Sequence, residues 1–313
     1  MSCIEVSQLT KQFGAKKVVD NVSFLLEEHT ATALIGPNGA GKTTTLSMLA
    51  GLLKASSGDI VMPGVKDIRG AIGFLPQYPQ YFSWLTALEY MEMVANLSGV
   101  EKRSIKKDCE RMLAFVGLGE AMKKKTVTFS GGMKQRLGIA QALIHQPKLL
   151  LLDEPVSALD PVGRREIMNL LKEVQQQTTI LYSTHILNDA EEMTDQLLFL
   201  QNGRLVEQGS LQQVKAKFDE PRYKITFAHP EGALQFASQS ELFARVEQNI
   251  VYVEINVDSP TMQQLLNRLA IVPYEVMKVE RETANLEQIF MKAAGVTAKF
   301  GDSLPIEGLT EAA

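Results

Sequence analysis

The chain has 313 residues and a mass of 34.6 kDa, enough for about two domains at ~150 residues each. Hydrophobic residues make up 45%, charged residues 22%, and mean hydropathy is −0.03, which excludes a disordered or fibrous chain. A net charge of −4 and a pI near 5.7 remove the overall basic face that nucleic-acid binding needs. No apolar run approaches the ~20 residues of a membrane-spanning helix. Two cysteines, Cys3 and Cys109, cannot build a disulfide framework, and the opening MSCIEVSQLTKQFG has no leader pattern, so a reducing cytoplasm is the expected location.

Residues 1–215 alternate short apolar runs with helical patterns, as α/β domains do. Ala31–Ile35 (ATALI) predicts a buried strand that leads through a Gly-rich turn into a helix over 42–52. Continuous apolar strands over 149–153 and 179–183, with a helix over 162–176 between them, suit a parallel sheet covered on both faces. Residues 85–145 differ: Leu88, Met91, Ala95 and then Ile105, Cys109, Met112 and Phe115 recur at helical spacing, which predicts a helical subdomain inside the α/β body. A smaller α+β domain is expected over 216–298. Arg222–Phe227 and 251–257 read as half-buried strands, followed by helix, strand and helix over 261–269, 274–279 and 286–294. Residues 299–313 are Gly, Pro and acid rich and are expected to form a flexible tail.

Chemistry is concentrated at a few points. Residues 36–43 read GPNGAGKT, the phosphate-loop pattern. Small residues let backbone N–H groups curl around phosphate oxygens, and the following helix aims its positive end at them. Gly36, Pro37, Asn38, Gly39, Ala40, Gly41, Lys42, Thr43 and Thr44 are therefore the expected nucleotide-binding residues. Lys42 would neutralise the β and γ phosphates, and the Thr43 hydroxyl would ligate Mg²⁺. Residues 149–155 read LLLLDEP, a buried strand ending in two carboxylates. Asp153 would hold Mg²⁺ through water while Glu154 polarises the attacking water; as neighbours on a strand, the two should point to opposite faces. Four histidines without paired spacing give no zinc site.

In this order the motifs resemble the nucleotide-binding subunit of ATP-binding cassette (ABC) transporters over residues 1–215. The resemblance implies a P-loop NTPase fold, with Phe13 as an aromatic platform for adenine and Gln77 (FLPQ) as a sensor of Mg²⁺, γ-phosphate and the membrane partner. It makes Ser130, Gly131 and Gly132 (FSGGMKQR) a signature loop and Asp160 (SALD) part of a loop exchanged between subunits. His185 (STH) would contact the γ-phosphate. The signature loop departs from the family's leucine-serine-glycine-glycine-glutamine: Phe129 replaces the leucine and Met133 the glutamine. The serine and both glycines remain, so the hydroxyl, the N–H groups and the helix N-terminus that can hold a phosphate are kept.

One phosphate loop and one signature loop per chain imply two chains per pair of sites, a homodimer being the expected form. Intact Glu154 and His185 imply that the site hydrolyses ATP. Two surface features bear on partners. Residues 78–84 (YPQYFSW) hold four aromatics just after Gln77, either a core cluster or a groove for a helix of a transmembrane permease subunit. Ten Lys or Arg fall between Lys102 and Arg136, where uniform scatter would place about 3.6; this is either a solvated helical face or a surface facing anionic lipid. Both fit a cytoplasmic subunit seated peripherally on the inner face of the cell membrane. Residues 283–295 (TANLEQIFMKAAG), through Leu286, Glu287, Ile289, Phe290 and Gly295, look like the closing element of ATPases that serve type-2 ABC permeases, many of them exporters. Alternative readings are a soluble ABC ATPase acting on ribosomes or nucleic acid, and a low-turnover regulatory module. The former usually has two cassettes or long coiled coils, and the latter fits poorly with Glu154.

Overall fold

The computed structural model describes residues 2–157, 159–218, 221–239, 244–255 and 260–293. The chain forms two compact units that divide between Val214 and Lys215.

The first unit opens with two long antiparallel strands, β1 (Ser2–Phe13) and β2 (Lys16–Glu27), and β4 (Ser57–Val61) pairs with the other side of β1. The β1–β2 ladder is bulged at several points, and Gln8 and Asn21 adopt left-handed φ values of 51° and 54°. Each bulge shifts the two-residue side-chain period, which is why sequence alternation does not reveal these strands. Between β2 and β4 lie β3 (Ala31–Ile35) and helix α1 (Lys42–Leu49). The helix stops short of the predicted 52 because Gly51, at φ 70°, turns the chain out after Ala50.

The second sheet of this unit contains β3, β5 (Ile72–Leu75), β6 (Leu149–Leu152), β7 (Thr179–Thr184), β8 (Gln196–Gln201) and β9 (Arg204–Ser210). Their order is β5-β6-β7-β3-β8-β9, parallel throughout except for the antiparallel β9. β3, β6 and β7 are buried at every position, as expected for strands covered on both faces. Leu34, Leu46, Leu49, Leu151, Leu181 and Leu198 share one core with Ile4, Leu9 and Leu26 of the three-stranded sheet.

Between β5 and β6 the chain forms α2 (Ala87–Leu97), α3 (Ile105–Phe115) and α4 (Gly131–Leu143), in the region where helical spacing predicts helices. Thr86 and Glu89 start α2 with a reciprocal capping box, and the Thr86 N–H holds the Glu89 carboxyl below its usual range. α4 lies close against β5: Gly138 leaves room for Leu75 and the Tyr81 hydroxyl, and a side chain on Gly73 would overlap the Ala142 carbonyl. After β6 come α5 (Pro161–Gln175) and, after β7, the short α6 (Leu187–Met193). α5 starts on an Asp160 cap with proline at its first turn, the order that pre-sets a helix N-terminus.

Helix α7 (Leu211–Phe218) spans the division between the units. The second unit runs β10 (Arg222–Phe227), α8 (Pro230–Gln239), β11 (Ala244–Glu247), β12 (Ile250–Glu254), α9 (Met262–Leu269) and β13 (Val276–Glu282), and α10 (Leu286–Ala293) follows. Its sheet is antiparallel, in the order β11-β12-β10-β13, the split βαβ arrangement. Ile225, Phe227, Val251 and Val253 form its core with Phe236 of α8 and Leu265 of α9. The last strand begins at Val276 rather than 274 and runs to Glu282 rather than 279; the Tyr274 hydroxyl before it donates to Gln235 of α8. Residues 256–257 of the predicted strand, Ala158 of the SALD loop, Ala294, Gly295 and the tail from 299 lie outside the described residues.

The Gly73 contact gives a test of the sheet-to-α4 fit. Gly73→Ala should lower stability by about 2 kcal/mol, the usual scale for overpacking a core, read as a lower urea midpoint at unchanged slope.

Candidate functional site

Four neighbouring strands end on one edge of the parallel sheet, and each delivers candidate residues there. β3 runs into the loop 36–41, β5 into Gln77, β6 into Asp153 and Glu154, and β7 into His185. The carboxyl ends of parallel strands are where such sheets bind ligands.

An open cleft of about 240 Å³ lies at the start of α1, lined by Val18, residues 37–44, Gln77 and Glu154. Gly39 and Gly41 bend the loop with φ values of 79° and 107°. A Cβ on Gly41 would also come within 2.7 Å of the Val18 carbonyl oxygen, so both conformation and space demand glycine there. Among the described residues, the N–H groups of Asn38, Gly39, Gly41, Lys42, Thr43 and Thr44 have no backbone acceptor, and α1 has no side-chain cap. By contrast, α2, α4, α5 and α9 start on Thr86, Ser130, Asp160 and Thr261, each accepting an N–H of the first turn. The donors at the start of α1 are thus left for an external anion, and the cradle fits the phosphates of a nucleotide.

Behind the loop, Lys42 and Glu154 are both buried, with 7% side-chain exposure each, and their Nζ and Oε1 atoms are 3.4 Å apart. The Lys42 ammonium also donates to the carbonyls of Gly36 at 2.7 Å and Pro37 at 3.3 Å. A buried charge requires this degree of compensation. The other oxygen of Glu154 lies 2.9 Å from Nδ1 of His185, whose ring is half exposed. Glu154 therefore sits between a lysine and a histidine.

The two carboxylates are separated differently from the expectation of strand alternation. β6 ends at Leu152, and Glu154 has a left-handed φ of 51°. The turn, not the pleat, aims them apart. A non-glycine residue in this region is strained unless its surroundings hold it. Ser183 of β7 supplies the hold: its Oγ donates to Asp153 Oδ1 at 2.6 Å and accepts the Glu154 N–H at 2.9 Å. Nothing in the sequence marks Ser183 beyond its place two residues before His185, and Val18 likewise has no motif of its own.

Thr43 is exposed at the cleft, whereas Asp153 is 1% exposed and does not line it. Among the described residues no group of three or more His, Cys, Asp or Glu is placed to hold a metal. Few protein oxygens suit Mg²⁺, which commonly takes the rest of its shell from phosphates and water.

Other expected residues lie away from this cleft. Phe13 is 50% exposed, with the Lys11 ammonium 5.0 Å from its ring centre, and does not line it. Ser130, Gly131 and Gly132 form the start of α4, where Ser130 accepts the Met133 N–H, and Asp160 caps α5 through the Gly163 N–H. None of the four lines the cleft. The aromatic run after Gln77 divides. Tyr81 donates to the Lys134 carbonyl at 2.6 Å and meets Tyr90 edge-on, whereas Tyr78, Phe82 and Trp84 are exposed.

A family described as "ABC transporter" matches residues 19–157, and one described as "ATP-binding protein DrrA1-3-like, C-terminal domain" matches residues 209–294. The uncharacterized ABC transporter ATP-binding protein YxlF of Bacillus subtilis (strain 168) is 41% identical, over 92% of this chain and 98% of its own. The chain belongs to the ATP-binding proteins of ABC transporters. The bacitracin transport ATP-binding protein BcrA of Bacillus licheniformis is 33% identical over 93% of this chain and 97% of its own. A solved ATP-binding subunit of an ABC transporter superposes with a TM-score of 0.63 at 30% identity, covering 69% of this chain and 93% of that one. As a member of this family the chain is an ATPase subunit that uses ATP with Mg²⁺, has the P-loop NTPase fold, and works with transmembrane subunits and a second cassette. The soluble-factor and regulatory alternatives give way to this reading. No helix among the described residues is long and apolar enough to cross a membrane.

Ser183 provides the check on this geometry. Ser183→Ala should cost about 2 kcal/mol for two lost buried hydrogen bonds, seen in chemical denaturation, and should lower ATP turnover more than it lowers ATP affinity.

Proposed function

We propose that the chain is the ATPase of an exporter, seated on the cytoplasmic face of the cell membrane and active as a homodimer. The observation that carries the assignment of the site is the row Lys42–Glu154–His185, its first two members buried, beneath a loop of unpaired backbone donors. Lys42 and the N–H groups of residues 38–44 bind the phosphates, and Phe13 stacks on the adenine. Thr43 would hold Mg²⁺ directly, Asp153 through water and Gln77 at its edge, and the ion would supply positive charge to the phosphates. Glu154 polarises water, and His185 holds its free oxygen while the ring faces the γ-phosphate. In this reading Lys42, 3.4 Å from Glu154, turns from carboxylate to phosphate as the site fills, which frees Glu154 to accept a proton.

The dimer reading rests on what the cleft lacks. Ser130, Gly131, Gly132 and Asp160 do not line it, so in this reading they complete the cleft of a second chain. Closure by shared nucleotide and release on hydrolysis then follow the logic of a nucleotide switch. Residues 1–215 form the cassette with a helical subdomain at 85–145, and 216–298 an accessory domain. Export is supported by the likeness to a bacitracin transport protein. The exposed Tyr78, Phe82 and Trp84 are the anchors for a permease helix. Tyr81 belongs to the fold instead.

Two sets of variants test this reading. Lys42→Ala should abolish ATP binding in a calorimetric titration. Glu154→Gln should slow turnover about 10²-fold or more and hold an ATP-bound dimer of doubled mass in light scattering; a monomer with full turnover would refute the role of Glu154. Separately, Tyr78, Phe82 and Trp84 exchanged for serine should release the tagged chain from gently solubilised membranes with unchanged melting temperature. The wild-type chain should co-purify with a multi-spanning protein, and recovery of ribosomal proteins alone would count against export.

A further inference from the structure

The loop that bears Asp160 and the histidine after β7 are joined by a charge pair with no assigned role. Asp160 and Arg164 are one helical turn apart on α5, the Arg164 N–H bonding to the Asp160 carbonyl at 2.9 Å. The cap is tight, since a Cβ on Gly163 would come 2.8 Å from Asp160 Oδ1. His185 lies two residues before α6 and Asp189 in its first turn, and the Ile186 N–H between them is held by Thr184 Oγ1 at 2.9 Å. Arg164 Nε and Asp189 Oδ2 lie 3.6 Å apart, and their side chains are 30% and 14% exposed.

This contact is too long for a hydrogen bond. Both atoms are shielded from solvent, and neither has a hydrogen-bond partner among the described residues. Burial holds the Asp189 carboxyl above its usual range, and Arg164 and His185 pull the other way. The surrounding anchorage is slight. α6 buries only Ala190 and Met193 within its span, and its other charge link to α5, Lys172–Glu192, is 3.9 Å long and well exposed. The first turn of α6, which His185 precedes by two residues, is thus tied to the Asp160 loop through a desolvated, unsaturated ion pair. A pair in that state strengthens steeply as its members approach.

We propose that Arg164 and Asp189 are positioning residues that couple the Asp160 loop to His185, so that seating the loop against a second cassette sets the imidazole for turnover. This rests on the reading of Asp160 and His185 given above. The pair touches neither nucleotide nor metal in this scheme, and its effect falls on the rate rather than on ATP affinity.

The test uses the full chain, with kcat, KM for ATP and melting temperature measured for Asp189→Asn, Arg164→Gln and the exchanged pair Arg164→Asp with Asp189→Arg. Glu192→Gln, which removes the outer link between the same two helices, is the control. Each single inner variant should lower kcat about fivefold or more, with KM within twofold and the melting temperature held. The exchanged pair should recover most of the rate, and Glu192→Gln should match wild type. Unchanged kcat in the single variants overturns the coupling. So does a loss that follows melting temperature, is shared by Glu192→Gln, or is not recovered by the exchange. Glu154→Gln measured alongside separates the two levels: arrest there with normal Asp189→Asn turnover removes the coupling alone, whereas full turnover in Glu154→Gln removes the reading of the site with it.

Discussion

A buried lysine must be compensated, and much of the site's order follows from how that is done here. Lys42 lies under a loop whose own N–H groups are unpaired, so it cannot be neutralised from above without a ligand. Its partners in this structure are two loop carbonyls and the carboxylate of Glu154. Glu154 reaches it only because the turn after β6 is left-handed, and that turn is fixed by Ser183 from β7. The loop, the two carboxylates and the histidine therefore depend on the register of three adjacent strands, β6, β7 and β3, whose pairing is set by buried leucines and isoleucines. Packing far from the cleft thus determines charge placement beside it.

Much of this was legible in the sequence. The strand Ala31–Ile35 and the loop after it could be read because glycine, lysine and threonine at fixed spacing have a single physical use together. LLLLDEP could be read as a buried strand because four apolar residues in a row precede the acids. Two kinds of information were not local. Strand alternation suggested opposed faces for Asp153 and Glu154, whereas the backbone has left the strand by then; the hydrogen bonds that stabilise φ 51° come from a residue thirty positions away in β7. β1 and β2 were hidden because bulges break the period on which strand reading relies.

The aromatic run after Gln77 shows why composition alone is ambiguous. Two readings, core and interface, were open for residues 78–84, and the chain uses both. Tyr81 has a hydroxyl that reaches the Lys134 carbonyl, and a glycine at 138 makes space for it. Tyr78 and Trp84 have no such accommodation and remain exposed. The deciding factor is a glycine on another helix, which no window around the aromatics contains.

The second unit has a feature with a mechanical consequence. Its first and last strands, β10 and β13, are hydrogen-bonded neighbours running in opposite directions, and Arg222 at the entry pairs in register with Glu282 at the exit. The sheet of this unit thus begins and ends at one corner. Ends placed side by side suit a domain to insertion and exchange. They also decide how it responds to tension: a pull on the two ends would load the β10–β13 ladder as a zipper, opening one bonded pair after another from the Arg222–Glu282 end, instead of shearing all pairs at once.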